Sequence, residues 1–540
     1  MSKKPRGRRP GKAGQHIGAD EDVSLESLLG LDDAALRLLR DGMRAMQSPR
    51  EGDEDDPLAL FDEFLRRLAT FSEAKSDSDD AFFEIVVMTL TQLAIDENGG
   101  DPRAREIRAA IYAQLVEAIA DGELDPVSLV LVAKVLSDSG WVVPDPLKGR
   151  LIEALDAGES AELGGADLGS ALMDIAQAAE GDPFAAYDAL NSVLAAFPSE
   201  AAARMVATLG EARAPMLLHA LAGFAMHRDA RIAVAAIQEL KRAATAGPVE
   251  SLLVERLVRM RPWLPNDRQT ALDEAIRALR PHAMPPVEAE RLYPAKAFLL
   301  ACDGSGAGGT LASLKASDGW RFVAAMTKTA GVDEVLSMER LSKAQVDATV
   351  RGMNENVLAA QTDTAGIARY LQLMLGENLA AGAPPPFNLI ALVENLGLGP
   401  IAPRFISPAE LIAEILADMP DAEKDVAALA RAHGASIGGA MQNPWFEAGE
   451  AVERLFRPIR SAKARVAAML TSYLPERRAF WTRALALTAF ALREDGKTFG
   501  KLGVQLALVG REVASGAPLD SIPLMRQIAE ASVRAYQSRR

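Results

Sequence analysis

The sequence predicts a mainly α-helical chain with a small α/β segment set into it. Phe, Trp and Tyr together make up only 5% of the 540 residues, while Ala and Leu dominate. Strands favour β-branched and aromatic side chains, and helices favour Ala and Leu. Apolar residues also recur at helical spacing, first at Leu58, Phe61, Leu65, Leu68 and Phe71, then at Ile107, Ile111, Leu115 and Ala118. Each set lines one face of a helix.

Residues 1–22 are rich in Lys, Arg, Gly and Pro and have no apolar period, so they read as a disordered basic tail. The polar stretches Ser48 to Asp56 and Ser72 to Asp80 read as loops. Asp101-Pro102 and Asp182-Pro183 mark helix starts, with Asp as the cap and Pro at the first helical position. Ser342-Lys343-Ala344-Gln345 and Ser407-Pro408-Ala409-Glu410 spell capping boxes. From Tyr293 the texture changes. Ala295 to Cys302 and Trp320 to Thr327 are short apolar runs, Thr310 to Lys315 alternates, and glycine-rich turns separate them. That pattern suggests a small antiparallel meander, followed by a helix from Ser342 to Met353. The expected domains are the tail at 1–22, a helical region at 23–290, an α/β segment at 293–355 and a helical C-terminal region at 356–540.

One helix pattern recurs. Asp229-Ala-Arg231 leads into an Ala- and Ile-rich helix ending near Leu240, and Asp267-Arg268 leads into a similar one ending near Leu279. The starts at Asp101 and Asp182 fit more loosely, and the separations are 81, 47 and 38 residues. A period near ~40–47 residues is that of stacked helix pairs. Over residues 100–285 the pattern resembles HEAT repeats. The resemblance implies a helical-repeat, α-solenoid-like N-terminal half that binds a macromolecule across its surface. It points to no particular protein.

The net charge of −15 is unevenly laid out. Residues 1–14 carry six cations and no acid, and residues 450–540 carry sixteen cations against eight acids, so the acidic surplus lies in between. One cysteine, Cys302, allows neither an intramolecular disulfide nor a cysteine-built zinc site. No apolar run reaches the about 18 residues a membrane helix needs, and no apolar segment follows the basic start. The expectation is a cytoplasmic protein without a membrane partner.

Several motifs fail a spacing check. Gly304-x-Gly306-x-x-Gly309 matches a dinucleotide fingerprint, but that motif must open a helix of several turns, and Asp318-Gly319 cuts the segment short. A hairpin loop fits better. His227-Arg228-Asp229 echoes a kinase catalytic loop but lies upstream of the glycines and lacks the other kinase elements. The five histidines form no His-Glu-x-x-His pair, and no Gly-x-Ser-x-Gly elbow occurs. Cys302 reads as a buried thiol. No catalytic, cofactor-binding or metal residue is assigned, and no cofactor is expected.

Two basic stretches remain. Lys4-Pro5-Arg6-Gly7-Arg8-Arg9-Pro10 is similar to an AT-hook, interrupted by the extra Arg9; the resemblance implies arginines in a narrow minor groove. Arg454, Arg457, Arg460, Lys463 and Arg465, then Arg477-Arg478, recur at near-helical spacing, and Arg457, Arg460 and Lys463 are expected on one side of a helix that Pro458 disturbs. Pairing of these cations with the chain's own acidic body is preferred over phosphate binding. The leading functional expectation is a non-catalytic, protein-binding scaffold. One alternative is a nucleic-acid-associated protein using Arg6, Arg8, Arg9, Arg457, Arg460 and Lys463, and another is an enzyme with a site near the 303–309 glycine loop.

Overall fold

The computed structural model describes residues 57–69, 77–98, 101–160, 172–285 (except 174–175, 177–178, 180, 196, 212–213 and 246), 292–417, 445–495 and 498–538. The basic tail with Arg6, Arg8 and Arg9, and the loop expected at 48–56, lie outside these residues. Among the described residues the chain is 66% helix, in 20 helices, with one five-stranded antiparallel sheet in the middle.

The first eleven helices are α1 (Pro57–Ala69), α2 (Asp77–Asn98), α3 (Pro102–Ala120), α4 (Pro126–Asp138), α5 (Asp145–Ser160), α6 (Pro183–Leu194), α7 (Ser199–Glu211), α8 (Pro215–Phe224), α9 (Ala230–Ala243), α10 (Ser251–Met260) and α11 (Asn266–Leu279). Local chemistry sets several of the starts. Asp101, Asp125, Asp182 and Asp229 each cap a helix by accepting from a backbone N–H two or three residues on, and proline follows the first three. Each cap satisfies a donor the helix cannot bond internally. Asp267 differs from Asp229, because α11 begins a residue earlier, after Pro265, with no side-chain cap. The loop expected at Ser72 to Asp80 also ends early, since α2 starts at Asp77. Its acidic opening reads as linker in sequence but suits the positive end of a helix equally well.

These helices pack on their next-but-one neighbours as well as on their neighbours. In one series α4 touches α6, α6 touches α8 and α8 touches α10, while in the other α7 touches α9 and α9 touches α11. Nearer the start, α1 packs on α3, α2 on α4 and α3 on α5.

The sheet comprises β1 (Tyr293–Leu300), β2 (Gly308–Lys315), β3 (Trp320–Lys328), β4 (Gly331–Leu341) and β5 (Ala359–Thr362) in the order β4-β3-β2-β1-β5. Strands β1 to β3 form the expected meander, with Leu299 opposite Thr310 and Leu311 opposite Ala324, and β4 extends it by a strand that was not expected. Strands β4 and β5 carry no clean sequence signal. β4 interrupts its apolar positions with Asp333, Glu334 and Glu339, and its pairing with β3 is irregular at two places. β5 spans four residues. The helix α12 (Lys343–Asn356) covers one face of the sheet over Leu300, Leu311, Phe322 and Ala324. The other face presents Leu299, Ala312, Leu314 and Val323 to the main core.

That core is completed by α13 (Thr364–Ala381), α14 (Leu389–Asn395), α15 (Pro408–Leu416), α16 (Glu450–Phe456), α17 (Ala462–Ala468), α18 (Arg478–Glu494), α19 (Gly500–Ala514) and α20 (Pro523–Ser538). Helix α13 packs on β1 and β4, α18 packs on β1 and β5, and α15 lies against the α18/α19 pair. The capping box at Ser407/Glu410 is formed, as is that at Ser342/Gln345. After the proline run, Phe387 enters between α6 and α8, with its ring 4.9 Å from Phe184 and 5.2 Å from Tyr187. No described helix is long and apolar enough to cross a membrane.

Candidate functional site: the glycine loop and a basic corner

The glycine loop joins β1 to β2, and most of its hydrogen-bond donors are already engaged. The Asp303 carboxylate accepts from Ser305 N at 2.8 Å, Ser305 Oγ at 2.7 Å and Ala307 N at 3.0 Å. Gly306 N donates to Asp303 O at 3.0 Å. A phosphate cradle needs such N–H groups free and a helix behind them, whereas here a strand follows. Packing accounts for the glycines. Gly306 has φ +81°, in the left-handed region, and a Cβ there would meet the Phe480 ring at 2.8 Å. A Cβ on Gly308 would press on Tyr370 Oη and Cys302 Sγ at 3.1 and 3.3 Å, and one on Gly309 would strike the Ala325 carbonyl.

Beneath the loop lies a partly buried ion pair. Arg483 on α18 grips Glu377 on α13 through two bonds, Nε to Oε1 at 2.7 Å and Nη2 to Oε2 at 2.6 Å. The same guanidinium donates to Gly306 O at 3.3 Å and Lys328 O at 2.7 Å. It therefore clamps the loop, the end of β3 and α13 together. Cys302 is fully enclosed, and burial pushes its thiol up to about 12. A thiol held protonated at neutral pH is a packing group and a poor nucleophile.

The interior holds further charged groups, each hydrogen-bonded within the fold. The Glu447 carboxylate accepts from Arg477 Nε and Trp481 Nε1, both at 3.0 Å, and from Tyr473 Oη at 3.3 Å. Arg256 on α10 donates to both oxygens of Glu394 on α14, at 2.9 and 3.0 Å, and to His219 Nδ1 at 3.1 Å. A cleft of about 390 Å³ opens between α13, α15, α18 and the segment at 404–407, lined in part by Leu373, Ala380, Ile406, Leu411 and Leu487. Phe405 stands on its rim, 67% exposed. The polar wall groups have other partners: Glu377 holds Arg483, Arg404 holds Glu414, and Glu410 closes the capping box.

Sequence reasoning did not find Glu377, Arg483, Glu447, Arg256 or Glu394. Their partners lie far away in the chain, 106 residues for Arg483 and 138 for Arg256. The one local hint is Arg483 itself, an arginine beside the apolar run Ala484 to Leu492.

The C-terminal candidates fall on a corner. Helix α16 ends at Phe456, Arg457 follows it, and α17 begins at Ala462 after the Ser461 cap. Arg457, Arg460 and Lys463 are therefore divided among a helix end, a loop and the next helix, and do not share one helical face. Pro458 has no N–H to continue α16, and Ser461 restarts the chain by accepting from Ala464 N at 3.2 Å. All three cations are exposed, and none forms an ion pair among the described residues. Arg454 reaches only Glu450 of its own helix, at 3.7 Å. Of the cations in this stretch, Arg477 does pair with the acidic body, at Glu447, whereas Arg457, Arg460 and Lys463 have no such pairing among the described residues.

Family comparison bears on both stretches. Residues 409–537 match the family described as the Y4lR C-terminal helical domain, and residues 198–282 match that described as the Y4lR second domain. This chain is similar to Y4lR domains. No curated protein and no solved structure matches it. The Y4lR C-terminal match takes in the basic corner, Glu447 and Arg483, and the Y4lR second-domain match spans α7 to α11. The sheet lies between the two Y4lR-like stretches.

Proposed function

We propose that this chain is a non-catalytic helical-repeat scaffold of HEAT type, which binds a protein partner across the surface of its paired helices. The observation that carries this reading is a set of polar links between successive helices of one layer. The carboxyl of Asp229, the cap of α9, is held below the usual carboxylate range chiefly by Ser199 at the start of α7. Arg268, near the start of α11, donates to the carbonyls of His227 at 2.6 Å and Arg228 at 3.3 Å, just before α9. Toward the other ends, Lys241 of α9 meets Glu274 of α11 at 2.9 Å. Polar links at both the α7–α9 and the α9–α11 junctions support a stacked array in which each unit is completed by its neighbours. The partly buried ion pairs described above each join elements of the fold, which agrees with a structural role.

Such an array recognises by surface complementarity. Val234 on α9 is 42% exposed, set among Arg231, Gln238 and Lys241. The test is affinity purification from native cells, with and without nuclease, followed by reconstitution of the purified pair. A stoichiometric protein that survives nuclease, rebinds the pure chain and is lost with Val234→Asp is the expected result. Recovery of nucleic acid alone, or turnover of a small molecule by the pure chain, would overturn the reading.

A further inference from the structure

A second surface carries its own argument, independent of the proposed helical array. The corner at 457–463 presents Arg457, Arg460 and Lys463 to solvent, and none of them meets a carboxylate among the described residues. Acids outnumber cations in this chain by 74 to 59, so the lack of pairing does not reflect a shortage of partners. Glu453 stands four residues before Arg457, the spacing at which helical ion pairs form. The two side chains make no ion pair here, and only their backbones bond, Arg457 N to Glu453 O at 2.9 Å.

The corner is also held in place. Arg465 is buried beneath it, 4.9 Å from the Tyr536 ring and 5.9 Å from the Phe456 ring. Its Nε donates to Ile459 O at 2.9 Å, and Ile459 N donates back to Phe456 O at 3.1 Å. Together with the Ser461 cap, these bonds fix the backbone that carries the three cations. A charged surface fixed in advance loses less conformational freedom on binding.

We propose that this corner binds the phosphate backbone of nucleic acid. Charge complementarity selects a polyanion. Between residues 445 and 538, Phe446 is the one large apolar side chain exposed among the described residues, and the corner at 457–463 carries none. Surface attachment to a lipid bilayer draws on apolar side chains as well as cations, so nucleic acid is the better-fitting partner. The contacts would read charge and spacing, with no base-specific group supplied by these residues.

The test uses the full chain and a fluorescein-labelled 20-bp DNA duplex, followed by anisotropy from 50 to 250 mM salt. Relative to the natural chain, the variant Arg457→Gln/Arg460→Gln/Lys463→Gln should bind at least roughly tenfold more weakly at 50 mM salt. Its log Kd against log salt plot should be shallower by about two to three units, since each duplex phosphate contact contributes about 0.9. The same comparison is made in a chain carrying Arg6→Gln, Arg8→Gln and Arg9→Gln, which removes the tail's cations. Glu453→Gln supplies the opposite arm and should tighten binding, with no dependence on how the triple variant folds. No duplex binding by the natural chain, or an unchanged affinity and slope for the triple variant in both backgrounds, would overturn the proposal. So would weaker binding with Glu453→Gln, or a preference for phosphatidylserine vesicles over the duplex.

Discussion

His219 shows how a single buried side chain is set by its neighbours. Its Nδ1 faces Arg256 Nη1 at 3.1 Å and its Nε2 faces Glu250 Oε2 at 3.0 Å. Arginine can only donate, so Nδ1 accepts and the ring is neutral with its proton on Nε2. Burial first, and Arg256 second, hold its pKa below 6.5 against the pull of Glu250 and Glu394. The unfolded chain therefore binds the proton more readily than the folded one. The stability this ring contributes is complete above its unfolded value of about 6.5 and is lost as pH falls from there through the folded value. His227 is depressed in the same direction, mainly by burial. Urea unfolding between pH 7.5 and 5 should show stability falling with pH, by up to about 1.4 kcal/mol per pH unit for each such ring. In His219→Gln the slope should be shallower, and an identical slope would remove His219 from the account. The glycine loop gives a second test at this scale. Gly306→Ala should destabilise by about 1 kcal/mol or more, because alanine at positive φ is strained and its Cβ meets Phe480. Melting without added nucleotide reads this directly.

Among the elements, β4 shows what the sequence pattern could not supply. It is an edge strand, and exposed edges invite pairing with other chains. Here Asn378 of α13 closes part of that edge. Its Oδ1 accepts from Val332 N at 2.9 Å, and its Nδ2 donates to Ala330 O at 2.8 Å and Val332 O at 3.1 Å. Asn388 donates to Val335 O at 3.0 Å. Asn378→Leu should cost about 1–3 kcal/mol for each buried backbone group left without a partner, measured by denaturant unfolding. It should also promote self-association, measured by light scattering. The basic corner behaves oppositely as an element. Replacing Arg457, Arg460 and Lys463 with Gln should leave the melting temperature nearly unchanged at low salt, because these groups have no ion-pair partner among the described residues to lose. A clear loss of stability at low salt would show that they serve the fold. Helix starts were legible because caps are local: Asp101, Asp182, Asp229 and Ser407 each act on a donor within three residues. Strands β4 and β5 were not, because their partners decide them.

Across the whole molecule, the helices before the sheet are joined to the sheet region by a few long-range contacts. Arg256 of α10 holds Glu394 of α14, Trp263 Nε1 donates to Ile401 O at 3.0 Å, and Phe387 fills the space between α6 and α8. The Arg256 side chain is 8% exposed and that of Glu394 18%. Removing one partner of such a pair strands a buried charge. Glu394→Leu should therefore destabilise by about 3–5 kcal/mol, whereas Arg256→Met/Glu394→Leu should recover much of that loss. A double-mutant cycle in urea checks it, and equal losses in the single and double variants would show that packing, and not charge, makes the joint.

By itself the sequence determined the helical class, several helix starts, the two capping boxes and the presence of a meander after residue 292. Each depends on residues within a few positions of one another, where spacing and capping act without the rest of the fold. It also marked Arg457, Arg460 and Lys463 as cations in an acidic chain, because charge is a property of composition. Only the tertiary structure decided how those cations stand, since the break at Pro458 and the anchor from Arg465 to Ile459 turn a would-be helical stripe into a corner. It alone decided that the glycines serve packing and that Arg483 meets Glu377 across 106 residues. Burial is what converts an ordinary arginine or cysteine into a clamp or an inert thiol, and burial depends on segments distant in the chain coming together.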